Sequence, residues 1–491
     1  MGGHVIHTGP HGQLRSTTAE QLRAIVDDVA SARKVVLHFH GGLVDEAAGF
    51  AIAERLAPVY ERASAVPVFF VWRSGLLESV TGNLQEILAE DLFQRMLRWV
   101  LRFAVGKLRE QGGGRGVAGI APVSGDEADV QLHGRSLDRE PFSEQPVRNG
   151  VTGVTDRERE QFARAVEADP VLRADLAAVL EGDAASRSAG AGERSTTRMD
   201  REVLAELAGG EPQARGLIST TVLARKCAAV LVRVVRRYRD ASDHGVYATV
   251  VEELLREFYL ADVGGAVWAA MKGDTSDTFV AAEPARGGRL FMDLLAAALS
   301  KVGANRPELT LVGHSTGAVF IDNLLTDLGR LRAAGTLPAD LRVRNVVFLA
   351  PACTSGHFAA VLREHRDTFA RFRMFTMTDD AERADRLLGA FYPRSLLYLV
   401  SGLFERDTSG SSACVPLAGM ARYVRLGDDA TKDLVQVRDF MLEDGQHRVV
   451  WSPSPPDAPA ALRAAAVRHG DFDEDPLILE SLGRLVVGDD A

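Results

Sequence analysis

The stretch from Leu309 to Leu325 constrains this chain more than any other. Leu309–Val312 is mostly apolar and reads as a buried strand, Ala318–Leu325 reads as a helix, and Gly313-His314-Ser315-Thr316-Gly317 lies between them. A G-x-S-x-G run in that setting puts its serine on a sharp strand-to-helix turn, where the glycines let two backbones pass closely. The helix N-terminus then turns its unbonded N–H groups toward whatever reacts with Ser315. With 46 glycines in the chain, the motif alone says little. The strand before it and the helix after it make Ser315 a candidate nucleophile.

Upstream, the apolar run Lys34–Phe39 leads into His40-Gly41-Gly42-Leu43. Downstream, Val343–Leu349 reads as a second buried strand, and Phe372–Thr378 as a third that ends in Asp379-Asp380. Taken with G-x-S-x-G, these segments resemble the α/β-hydrolase superfamily, in which nucleophile, acid and histidine follow one another along the chain. The resemblance implies that the main-chain N–H groups of Gly42, Leu43 and Thr316 form an oxyanion hole, each donor supplying roughly 3–4 kcal/mol in the transition state. It also implies an acid past the strand ending at Thr378. Asp379 comes first off that strand, Asp380 is a close second and Asp385 a more distant third. Asp379 or Asp380 also suits the N-cap of the following helix.

The histidine of such a triad belongs in a loop between the last strand and the last helix. His469 lies in Val467–Phe472, after a strand expected near Arg448–Trp451 and before a helix opening at Asp475-Pro476, with Asp as N-cap and Pro in the first turn. His447 precedes that strand, His38 lies within one, and His357 and His365 come before the acid. His469 is therefore the expected general base.

The expected fold class is α/β, with a mostly parallel central sheet and helices on both faces. The resemblance covers residues 1–75 and 285–491. Residues 76–284 read as a mainly helical cap or lid insertion, with loops near 112–155 and 182–197 that are rich in Gly, Ser and charge. Gly264–Trp268 reads as the return of the chain toward the core. Two stretches of the insertion, Phe93–Phe103 and Val222–Arg239, are amphipathic with arginines at helical spacing. Such helices either dock peripherally on a membrane or bury their apolar face in a cap.

Metal chemistry is not signalled. Asp471, Asp473 and Asp475 open like a calcium loop, but Pro476 stands where that loop needs glycine and Leu482 where it needs glutamate. They are expected to cap the final helix and solvate its loop. Cys227, Cys353 and Cys414 are too scattered for a zinc site, and no cofactor is implied. The net charge of −10 argues against a general nucleic-acid partner. The start lacks a secretory pattern, and Ile6 stands where a myristoylation motif needs Ser or Thr. With three cysteines, a cytoplasmic location is expected. The expected activity is a serine esterase or lipase-like hydrolase acting on a small-molecule or lipid ester. Alternatives are an amidase, peptidase or acyltransferase with the same triad, a membrane-acting phospholipase, or a non-catalytic binding module. Oligomeric state is left open.

Overall fold

A computed structural model describes residues 4–42, 44–72, 77–109, 120–133, 140–142, 151–189, 197–209, 215–259, 265–282, 285–302, 306–339, 341–389, 391–405, 414–424, 431–443 and 448–488. The chain opens with β1 (His4–Thr8), α1 (Ala19–Ser31), β2 (Lys34–Phe39), α2 (Glu46–Arg62) and β3 (Val66–Trp72). Among the described residues helices then follow without a strand: α3 (Leu77–Ala89), α4 (Asp91–Arg109), α5 (Gly125–His133), α6 (Asp156–Glu167), α7 (Pro170–Ala189), α8 (Arg201–Leu207), α9 (Arg215–Arg239), α10 (Val246–Phe258) and α11 (Gly265–Asp277). Alternation resumes with α12 (Gly287–Val302), β4 (Glu308–His314), α13 (Gly317–Ala333), β5 (Val343–Leu349), α14 (Ser355–His365) and β6 (Phe369–Met377). Short helices α15 (Asp379–Ala384), α16 (Leu396–Leu399) and α17 (Ala421–Val424) precede α18 (Lys432–Leu442), β7 (Val449–Ser452) and α19 (Pro476–Val487).

The strands form one sheet in the order β1-β3-β2-β4-β5-β6-β7, and every neighbouring pair is parallel. A sheet of this kind is covered on both sides, so its strands are apolar on both faces. Val36, Phe69, Val312 and Val347 pack beneath α2 and α19 with Leu56, Tyr60, Ile478 and Leu482. Leu37, Phe70, Leu311 and Phe348, pointing the other way, meet Val26 of α1, Phe291 of α12, Phe320 of α13 and Phe358 of α14. The order of strands reverses between β2 and β4. From β2 the chain steps outward to β3, and from β4 it steps the other way to β5 and β6. The crevice beyond the carboxyl ends of β2 and β4 is thus a topological switch point, where open α/β sheets bind their ligands.

The long helical segment shares its core with one face of the sheet. α4, α9 and α10 pack on one another, α10 rests on Val400–Phe404, and α11 returns the chain against α13. The apolar side of α4 is buried through Leu92, Met96, Val100, Phe103 and Leu108. Its polar groups are held by neighbours: Arg95 by Asp175 at 3.2 Å and Trp99 Nε1 by Asp169 at 2.7 Å. α9 likewise buries Leu223, Val230 and Val234. The apolar faces that suit membrane docking in the sequence are therefore internal. Two expected loops also differ in part. Gly125–His133 is helical, with Ala128 buried, and α7 runs on to Ala189. Short runs of acidic and apolar residues there gain their order from packing against α4 rather than from a visible period. The remainder of both stretches lies largely outside the described residues.

Candidate active site

The carboxyl end of β4 carries Ser315 with φ of 53°, a left-handed conformation that costs a non-glycine residue energy and is held by its surroundings. Here the surroundings are hydrogen bonds. Ser315 N–H donates to the Leu349 carbonyl at 2.8 Å, and the Ser315 carbonyl accepts from Ala318 and Ala352 at 3.1 Å each. The flanking glycines are needed for space. A Cβ on Gly313 would lie 2.6 Å from the carbonyl carbon of Gly317, and one on Gly317 would lie 2.2 Å from the Phe39 carbonyl oxygen. α13 can start this close to the end of β2 only because Gly317 carries no side chain.

The end of β2 faces the same crevice. His40 accepts from Trp72 N–H through Nε2 at 3.2 Å and bonds the Gly41 carbonyl through Nδ1 at 2.8 Å, which makes Nδ1 the protonated nitrogen. Burial holds His40 down to about 4, so it stays neutral and fixes the His-Gly-Gly turn. Gly42 lies against Thr316, where an added Cβ would sit 2.5 Å from Thr316 Oγ1. The turn and the start of α13 are therefore in close contact. Leu43 lies outside the described residues.

His469 Nε2 is 2.9 Å from Ser315 Oγ. Both side chains are almost fully buried. Burial, joined by the neighbouring His314, pushes His469 down to about 3, while Asp473 opposes the shift. The imidazole is therefore neutral at ordinary pH and able to accept the serine proton. Beside the pair opens a cavity of ≈ 990 Å³, lined by Gly41, Val44, Ala384, Leu387, Leu396 and Val467 with Asp380 and Asp385 among its polar groups.

Asp379 is not brought to His469. Its Oδ1 accepts from Tyr398 O–H at 2.6 Å, while His469 Nδ1 has no hydrogen-bond partner among the described residues. Asp379 and Asp380 instead open α15, the capping alternative foreseen for them, although the cap itself is the Thr378 side chain on Ala381 N–H. Tyr398 stacks edge-on against His244 at 4.5 Å, which draws Asp379 into a buried network of the insertion. There Glu252 accepts from His244 Nδ1 at 2.7 Å and from Tyr392 at 2.6 Å, and Arg237 bridges Glu252, Glu253 and Cys414. Asp385, the most distant of the three acids in the sequence, is the one bonded to His469. Its Oδ2 accepts the His469 main-chain N–H at 2.9 Å.

The acidic run after His469 divides by role. Asp475 caps α19 by accepting from Ile478 N–H at 2.8 Å, and Asp471 accepts from Arg468 N–H at 3.1 Å. Asp473 departs from the expected solvated role. It is buried, 3.3 Å from His314 Nδ1 and within reach of the fields of His38, His469 and Tyr60. His447 lies outside the described residues. No family model, curated protein or solved structure matches the chain.

Proposed function

We propose that the chain is a serine hydrolase of the α/β-hydrolase type, acting on an ester by way of an acyl-enzyme. The observation that carries this reading is the 2.9 Å contact between His469 Nε2 and Ser315 Oγ, made at a strained turn on the switch-point crevice. Ser315 Oγ attacks the acyl carbon while His469 Nε2 takes its proton. The N–H groups at Thr316 and the Gly41-Gly42 turn hold the oxyanion. Collapse of the tetrahedral adduct expels the alcohol, which leaves with the proton from His469. Water, deprotonated by His469, then attacks the acyl-enzyme, and the acid is released with Ser315 reprotonated. Asp385 serves as the carboxylate that fixes the base. The apolar walls of the cavity suit a lipid or other apolar ester.

A fluorophosphonate probe tests the reading directly. Wild-type protein is expected to label at Ser315, and Ser315→Ala to lose the label. Absence of labelling in folded wild-type protein sinks the proposal. Turnover of amide substrates without any ester turnover refutes the substrate class.

A further inference from the structure

The residue just before the nucleophile is tied to the loop that carries the base. His314 ends β4, and its Nε2 bonds the main-chain carbonyl of His469 at 3.0 Å. Its Nδ1 faces the Asp473 carboxylate at 3.3 Å. Its ring stacks on the His469 ring, with centroids 5.3 Å apart and planes 30° apart, and the Phe472 ring stacks against it at 6.4 Å. His314 and Asp473 are both buried. An imidazole that bonds a carbonyl at one nitrogen and has a carboxylate 3.3 Å from the other is favoured in its charged form.

We propose that His314 is a positioning residue for the base: held by Asp473, it carries the His469 backbone and so fixes His469 Nε2 at the Ser315 hydroxyl. The inference rests on the hydrolase reading above. It gives the base loop two anchors, Asp385 on the His469 N–H and His314 on its carbonyl, so that rotation of the loop breaks one or the other. It also explains why Asp473 is buried while its neighbours in the run cap and solvate. The other groups around the pair are His38 of β2, His40 just past its end and Tyr60 of α2, with His469 itself. Burial holds His38 and His40 neutral, down to about 3 and about 4. Burial also works against charge on His314, but Asp473 and the His469 carbonyl outweigh it and raise the group.

The test is the rate of fluorophosphonate labelling as a function of pH. In His314→Gln the plateau rate is expected to fall by about 10- to 100-fold, as a base displaced by up to about 1 Å implies. The acid inflection is expected to rise by about one to two pH units, because a positive charge next to His469 is gone and Asp473 remains. In the double variant His314→Gln/Asp473→Asn the inflection returns toward wild type while the plateau stays low. A residue that merely fills space lowers the plateau and leaves the inflection in place, and that outcome overturns the inference. Should either variant fail to fold, ring-nitrogen NMR of the wild type decides: His314 protonated at both nitrogens at neutral pH supports it, and a neutral His314 overturns it. Wild-type protein that does not label refutes the hydrolase reading and this inference together. Labelling by wild type with an unchanged His314→Gln profile refutes the inference alone.

Discussion

The approach of α13 to β2 makes Gly317 one of the most exacting glycine positions among the described residues. In Gly317→Ala the new Cβ would lie 2.2 Å from the Phe39 carbonyl oxygen, 2.9 Å from its carbon and 3.2 Å from the His40 carbonyl oxygen. Ordinary contacts of this kind lie near about 3.5 Å. These neighbours are backbone, so no side chain can turn aside, and the start of α13 must retreat from the end of β2 by roughly 1 Å. Overpacking of this kind typically costs about 1–3 kcal/mol. The retreat also separates Thr316 from Gly42, the two sides of the proposed oxyanion hole, and a displacement near 1 Å costs about 100-fold in rate. Gly483→Ala is the control. It lies in α19 with nothing within 4 Å of the added atom, and removing a helical glycine gains about 0.5–1 kcal/mol. Thermal unfolding followed by circular dichroism and the rate of fluorophosphonate labelling measure both effects. Gly317→Ala protein that melts and labels like wild type refutes the argument. A lowered melting temperature with an unchanged labelling rate shows that the close approach serves stability only.

Asp385→Ala removes the bond to His469 N–H and is expected to slow labelling about 10- to 100-fold, in line with a charged hydrogen bond of about 1.5–3 kcal/mol; Tyr398→Phe, which frees Asp379, should stay within a few-fold of wild type in the same assay. His38, His40, His244 and His469 are lowered by burial to between about 3 and about 4. The unfolded chain therefore binds more protons than the folded one from about pH 6.5 downward, and melting temperature should fall as pH drops from there toward 4. Glu382 is shifted the opposite way, raised by burial to about 8, so its contribution is present at low pH and lost as pH rises through 8. Glu382→Gln should remove a fall in melting temperature that this group contributes between about pH 4.5 and 8. Arg237→Met leaves Glu252 and Glu253 buried with one counter-charge fewer and should lose about 3–5 kcal/mol in a denaturant titration.

What the sequence made legible are features whose physics is local. The alternation of strand and helix around Gly313–Gly317, the apolar run ending at His40-Gly41-Gly42, and the capped helix after His469 each follow from a few adjacent residues. The acid did not yield to the same reasoning. Asp379, Asp380 and Asp385 lie within seven positions, and which of them meets His469 depends on how α15 turns after β6. That turn is set by residues far away in sequence, since Tyr398 and, through it, His244 take Asp379. Asp473 was hidden for a related reason. A run of alternating aspartates looks solvated until a buried histidine from another strand neutralises one member. The insertion was legible as helical, but its partners were not, because amphipathic helices announce an apolar face without naming what covers it.

The gap between β3 and β4 has a consequence for synthesis of the chain. β2 pairs with β3 on one side and β4 on the other, yet Trp72 and Glu308 are separated by the whole helical insertion. At about 5–20 residues per second, a ribosome needs roughly 12–50 s to span that interval. For all of that time β1, β3 and β2 have no fourth strand, and the apolar edge Val35-Val36-Leu37 has backbone groups open to any other extended chain. α4, α9 and α10 can pack on one another during this interval. The central seam of the sheet closes only when β4 leaves the ribosome, so it is the unpaired β2 edge that a nascent-chain chaperone has reason to cover.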